Sequence, residues 1–482
     1  MVSSVREDRM RCNRFLSGFA VAVFTVSFLI GDASTALGGD VPADWLPGGS
    51  ATSMASQTRN AFSHSSASLP FERELDFKVG NGLFKKVWVT APASTKSSDG
   101  LGPLYNARSC QRCHLKDGRG HPPEANFPDD NAVSLLIRLG IPTGDRAARQ
   151  DPVYGGQLQD FGIAGVANEG RPHVTWREEP VLLADGTEVS LRRPTWTVAS
   201  LQYGAMDPGT RLSPRIAPQM IGLGLLEAVP EDEIREWADP DDTDGDGISG
   251  VVAEVEDRET GATALGRFGW KASQPTLRQQ AAGAFSGDIG LSTSLFPAGH
   301  GDCTQGQKAC LEAPVGAATG RFEISDTMLD LVTFYSRHLA VPARRKPADA
   351  QVVQGGEVFR RIGCDSCHRP SLTTADSGVD PALAGQPIWP FTDLLLHDMG
   401  DGLADDLPEG SATGREWRTA PLWGIGLTET VNGHTYFLHD GRARSVLEAV
   451  LWHGGEAQAA RDRVVGLDAV DRAALLAYVN SL

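Results

Sequence analysis

The longest apolar stretch of the chain lies near its start, from Phe15 to Ile30, behind Arg6, Arg9, Arg11 and Arg14. The small residues Ser34 and Ala36 follow and fit cleavage after Ala36. This layout predicts an export signal peptide over residues 1–36 and a periplasmic mature protein. The run is shorter than the roughly 20 residues of a spanning helix. No later segment is apolar enough to cross a bilayer, so no transmembrane segment is expected after processing. Residues 37–68 are rich in Gly, Ser, Ala and Pro and read as a poorly ordered, flexible leader.

Two later segments carry apolar residues at helical spacing. Ile324–Leu339 places Met328, Leu331, Val332, Tyr335 and Leu339 on one face, and Val470–Leu482 does the same with Leu475, Leu476, Tyr478, Val479 and Leu482. Asp326 and Asp468 are candidate N-caps, and Pro342 stops the first helix. Val446–Trp452 is a third apolar run. Val174–Thr197 alternates polar and apolar residues around Asp185-Gly186, which predicts a β-hairpin. Turns and short helices fill the rest.

The chain has 482 residues, 41% hydrophobic and 22% charged, with 54 Gly and 29 Pro. That is globular composition, large enough for two or three cores. The net charge of −17 argues against a nucleic-acid partner. Loss of residues 1–36 removes four Arg and three acidic residues, which leaves −18. Such a surface predicts a basic protein partner.

Seven cysteines are present, and Cys12 leaves with the signal peptide. Four of the others form two copies of one pattern, Cys110-Gln-Arg-Cys113-His114 and Cys364-Asp-Ser-Cys367-His368. C-x-x-C-H is the attachment motif of a c-type haem. Two thiols at that spacing reach the two vinyl groups of one porphyrin edge, and the adjacent His supplies a nitrogen to iron. A zinc site would use the thiolates without needing a His after each pair. Two covalent c-type haems are therefore expected. Cys303 and Cys310 remain, either as a disulfide closing a short loop, as an oxidising compartment favours, or as free thiols.

The neighbourhoods of the two motifs are alike. Gly356-Glu-Val-Phe359 precedes Cys364, and Gly100–Tyr105 precedes Cys110. Arg215-Ile-Ala-Pro218 with Gly222 and Gly224 matches Arg418-Thr-Ala-Pro421 with Gly424 and Gly426. A duplicated module follows. The expected fold is mainly α, with two cytochrome c-like haem domains over residues 69–342 and 353–482, joined by a linker at 343–352. The first is enlarged by loop and β-hairpin insertions. In that first module Asp242, Asp244 and Asp246 alternate before Gly247, a spacing that suits Ca2+. The EF-hand position for a bidentate Glu is Ala253, so Glu254 or backbone oxygens would complete the shell.

Taken together, Asp99–Cys110, Leu396-His397-Asp398-Met399-Gly400, Arg415–Leu427 and His439-Asp-Gly-Arg442-Ala resemble the bacterial di-haem cytochrome c peroxidases, more closely their di-haem oxidoreductase branch. The resemblance covers residues 70–482. It implies a C-terminal haem that passes electrons and an N-terminal haem that meets peroxide. It also implies a distal ligand fourteen residues after the His of Leu438-His439-Asp440-Gly441, which here is His453 where the family has Met. His368/His453 ligation would lower that haem's potential. Met399 and His397 are rival ligands. Phe268-Gly-Trp270 resembles the family's inter-haem Trp segment, and Gln280 follows Trp270 by ten residues, as the family's Gln does. The family's catalytic acid maps to Asp288, with Glu227 as the alternative. A carboxylate there would move a proton between peroxide oxygens, and a Gln would orient the peroxide. Asp130 stands where the family has a switchable His, so the first haem is expected to be five-coordinate or ligated by His121, with His173 farther off.

The leading expectation is thus a periplasmic, peroxidase-like di-haem oxidoreductase, fed by a small electron-donor protein and reducing a small oxidant such as hydrogen peroxide. The alternatives are a non-catalytic electron carrier, or an oxidase of a partner protein acting through a high-valent di-haem state.

Overall fold

In the computed structural model, residues 42–318, 320–376 and 378–482 are described. Residues 1–36, expected to be a signal peptide, lie outside them. The mainly α expectation is overturned: helices hold 29% of the residues and strands 19%. The longest helices, Leu277–Ile289 and Ala469–Ser481, are 13 residues each. Among the described residues the strands form small sheets, one of three strands and the others of two. The physical reason is in the composition. Gly and Pro interrupt helices throughout, and the loops between them satisfy their backbone groups as short ladders.

The two periodic segments are helices. Asp326–Arg337 is capped by Ser325, whose side chain accepts from Met328 N, so the cap is one residue before Asp326. Asp468 caps Ala469–Ser481, accepting from Val470 N and Asp471 N. Each of these helices crosses an earlier one at a glycine. Ala350–Arg361 meets Ala469–Ser481 where Gly355 leaves no room for a Cβ against Ala474 O and Tyr478. Glu74–Phe84 meets Asp326–Arg337 where Gly80 leaves none against Leu331 O and Tyr335. The counterpart of the helix before Cys364 is therefore Glu74–Phe84. Asp99–Leu101 and Leu104–Tyr105, expected to match it, are strands.

The hairpin pairs Arg171–Leu182 with Glu188–Ala199, in register from Arg171↔Ala199 to Leu182↔Glu188. Pro172, Pro180 and Pro194 are tolerated because both strands are edges. Its tip lies on the C-terminal half. Leu183 and Leu191 join that half's core, Ala184 N donates to Val465 O, and Arg472 pairs with Asp185 at 2.5 Å. A three-stranded sheet places Leu135–Gly144 between Ala147–Arg149 and Arg211–Ile216, with Leu135, Ile137, Leu139 and Ile216 buried together.

Residues 42–68 are not loose. Ala51, Ala61 and Phe62 are buried in one core with Ile221, Leu225 and Trp423. Ser66 N donates to His338 O, and Ala340 N donates to His64 O. The small residues counted as disorder-prone are the ones that let this strap lie flat on the core. The 343–352 segment is likewise tied down: Arg344 is buried and donates to Ser481 Oγ at 3.0 Å, and Asp349 caps Ala350–Arg361. Phe62→Ala should lower stability by about 3–5 kcal/mol, read as a reduced urea midpoint. An unchanged midpoint would mean that the strap is not part of the folded unit.

Candidate functional site

Each C-x-x-C-H motif opens onto its own cavity. The first, about 230 Å³, is lined by Cys110, Cys113 and His114. Both thiols are raised by burial, Cys110 to about 12. His114 Nδ1 lies 2.8 Å from Pro218 O, which leaves Nε2 free, and burial lowers its pKa to about 4. A neutral imidazole with its outer nitrogen held by a carbonyl is the form a metal binds. Phe84, Met220, Phe285 and Val332 supply apolar walls.

The second cavity, about 360 Å³, is lined by Cys364, Cys367 and His368. His368 Nδ1 lies 2.9 Å from Phe391 O, and burial lowers its pKa to about 4. His453 lines the same cavity, just past the helix Val446–Leu451. Its Nδ1 is 2.8 Å from Ala449 O, so its Nε2 is free as well. His397 also lines this cavity, but both its nitrogens are occupied. Nε2 is 2.8 Å from Asp393 Oδ2 and Nδ1 is 2.6 Å from Glu456 Oε2. Burial pulls its pKa down, yet the hydrogen bonds to Asp393, Cys367 and Glu456 outweigh that and hold it well above the usual histidine value. Of the two rival ligands only Met399 keeps its donor atom, and it too lines the cavity.

His121 is a correction. Its Nδ1 faces Pro122 O at 2.8 Å, and its ring packs edge-on against His434, 5.4 Å between centroids. It does not line the first cavity, and His173 sits on the hairpin beside Thr197. Among the described residues lining that cavity, His114 is the only histidine.

Between the cavities stands a wall of Arg119, Trp270, Arg418, Ala420 and Pro421, which line both. Trp270 is fixed from two sides. Its Nε1 donates to Ile216 O at 2.9 Å, and its carbonyl accepts from Arg418 N at 2.9 Å. Gln280 and Asp288 project into the first cavity from Leu277–Ile289, a helix capped by Thr276 and closed by Gly290 at φ +73°. Gln280 reaches the Trp270 turn: a Cβ on Gly269 would stand 3.8 Å from its Oε1. Asp288 accepts from Gln157 Nε2 at 2.9 Å and lies close enough to Cys110 and Cys113 to raise their thiols. Burial raises its own pKa.

Glu227 does not line either cavity. Its Oε1 accepts from Leu277 N at 2.8 Å, and Oε2 accepts from Arg337 Nε at 2.7 Å. It anchors the start of the helix that carries Gln280, so it is a structural carboxylate. Sequence reasoning missed Glu409, which enters the first cavity from the C-terminal half. Arg215 Nη1 pairs with it at 2.5 Å. Burial opposes its charge, but Arg215 and Arg138 lower its pKa to about 2. No local motif marks Glu409, and nearly 300 residues separate it from Cys110.

The donor sets fit haem. Each cavity offers two thiols and an imidazole Nε2. On the walls, Arg119 Nε and Nη1 and Arg138 Nε are buried without a hydrogen-bond partner. Buried guanidinium groups require an anion, and haem propionates are anions. The sequence matches the family model described as "Di-haem oxidoreductase, putative peroxidase" over residues 43–141 and 152–482. The chain belongs to the di-haem oxidoreductase family. No curated protein and no solved structure matches it. Family membership brings haem as the cofactor of this oxidoreductase.

Two outlying features complete the placement. Cys303 and Cys310 lie at disulfide distance, with Cα atoms 6.2 Å apart. In the acidic loop, carboxylate oxygens of Asp239, Asp242 and Asp244 lie within 4.8 Å of one another. Asp246 instead accepts from Ile248 N, and Glu254 is paired with Arg235 at 2.5 Å. The alternating spacing identified Asp242 and Asp244 but not Asp239, which the turn folds back onto them. Glu227→Ala should cost about 1.5–3 kcal/mol of stability through the lost charged hydrogen bonds. It should leave the haem spectrum of folded protein unchanged, and an altered spectrum would restore Glu227 to the site.

Proposed function

We propose that this oxidoreductase is an exported, peroxidase-type enzyme with two covalently attached c-type haems. Its electrons enter at the second cavity and are used on a small oxidant such as hydrogen peroxide in the first. The observation that carries this reading is the asymmetry of the cavities. The second is lined by His368, His397, His439 and His453, of which His368 and His453 each hold Nδ1 to a backbone carbonyl and leave Nε2 free, while the first presents His114 alone. When bound, the haem of the first cavity supplies an iron position open to oxidant.

The residues then have distinct tasks. Cys110 with Cys113, and Cys364 with Cys367, form the thioethers, and His114, His368 and His453 are the iron ligands. Reducing one peroxide to two waters consumes two electrons and two protons. Gln280 orients the peroxide by hydrogen bonding, and Asp288, whose pKa burial raises, relays the two protons to it from solvent. Trp270 carries electrons across the wall. An export signal at residues 1–36 supports a periplasmic location, and no helix among the described residues is long and apolar enough to cross a membrane. The acidic surface supports a small basic donor protein. The reading includes Ca2+ at Asp239, Asp242 and Asp244, which offer the oxygen donors it needs.

Stopped-flow mixing of the diferrous holoprotein with peroxide tests this. A rapid reaction at a high-spin haem is expected, and Gln280→Leu should slow it by about a hundredfold. Absence of both the high-spin signal and the reaction would leave the electron-carrier reading in its place. His453→Ala should turn the second haem from low-spin to high-spin, seen by electron paramagnetic resonance. A low-spin variant would assign that position to Met399.

A further inference from the structure

The geometry points to Arg119 as a positioning residue shared by the two haem sites, holding propionate carboxylates from both and thereby setting both haem potentials together. The inference rests on the di-haem c-type reading above.

Two cations stand in the wall that lines both cavities. Arg418 is occupied: its Nε donates to Gly269 O at 3.1 Å and its Nη1 to Thr419 O at 2.9 Å. Arg119 is not. It is 5% exposed, its Nε and Nη1 have no partner, and no carboxylate among the described residues pairs with it. The side chain lies over the rings of Trp270 and Phe437, at 5.6 and 5.8 Å from their centroids. Burial lowers its pKa to about 10, so it stays charged at neutral pH.

The local sequence explains why this guanidinium is held there. Arg119 sits between Gly118 and Gly120. A Cβ on Gly118 would collide with the Asn432 side chain, and one on Gly120 would stand 2.5 Å from Ser134 O. The Arg119 backbone is pinned in the gap. Its N–H donates to Asn432 Oδ1 at 3.0 Å, and its carbonyl lies 3.2 Å from His434 Nε2. The chain thus fixes a buried cation at the boundary of two cavities without giving it an anion. Each haem brings two carboxylates. A cation close to both haems favours the reduced state of each, because reduction removes one positive charge.

The test is a spectroelectrochemical titration of holoprotein, after the pyridine haemochrome spectrum has shown two covalent haems. Failure of that check would count against the c-type reading and not against Arg119. In Arg119→Leu both midpoint potentials should fall, and Arg119→Lys should recover most of the shift. Arg138→Leu, whose guanidinium lines only the first cavity, should move one potential alone. If Arg119→Leu yields no loaded protein, Arg119→Gln removes the charge and keeps a hydrogen-bonding side chain, and it decides the question. Two attached haems with one potential moved, or neither, would overturn the proposal.

Discussion

One buried ion holds the two halves of the site together. Lys271 is fully buried, directly after Trp270, and its Nζ donates to Asp405 Oδ1, Leu407 O and Thr413 O at 2.8, 2.9 and 2.8 Å. Every ammonium proton is satisfied, which is the condition under which a charge survives burial. Asp405 Oδ2 accepts from Ser213 Oγ, and Arg215 Nε donates to the same hydroxyl. The loop thus gripped carries Glu409, which neutralises Arg215 at the first cavity. Removing the ammonium would leave Asp405 only Arg215, 3.8 Å away, as a counter-charge and would loosen the loop, a loss of about 3–5 kcal/mol for a broken buried pair. Trp270, Arg215 and Glu409 would lose their common support.

The rest of the fold serves the same end. The hairpin Arg171–Ala199 leaves the N-terminal half and lies on the C-terminal one, where Arg192 donates to Arg442 O and Gly441 O. The strap at residues 42–68 runs back over the core that contains Ile221 and Trp423. Neither device closes a cavity by itself. Both fix one half against the other, and the wall between the cavities is built from segments of both. Arg119 and Trp270 come from the first half, and Arg418, Ala420 and Pro421 from the second.

Chemistry confined to a short motif was legible in the sequence. Both C-x-x-C-H motifs open onto cavities, their thiols and imidazole brought together because the residues are adjacent in the chain. Trp270 and Gln280, ten residues apart, both line the first cavity, because a short loop joins the Trp270 turn to the helix that carries Gln280. Long-range placement was not legible. Asp130 and His121 were weighed by their offset from His114, yet the chain turns His121 away toward His434. Glu227 and Glu409 look alike in sequence, and only the partners brought by folding separate an anchor from a cavity residue. The fold class was misjudged for a related reason. Helical periodicity is visible, whereas two-stranded ladders made by distant loops leave no local pattern. Residues 42–68 have the composition of a disordered leader, but three buried apolar side chains suffice to fix them.

The two cavities differ in histidine content and in which charged groups face them. Arg138, Arg215, Glu409 and Asp288 all face the first, where Arg215 pairs with Glu409 and burial raises the Asp288 pKa. The second is faced by Asp246, Glu456, Arg461 and Arg463 among its apolar and aromatic groups, with Trp417 stacked on His439 at 3.8 Å. The charge balance of the first cavity is supplied across the boundary between the halves, since Glu409, the carboxylate that pairs with Arg215 there, belongs to the second half of the chain.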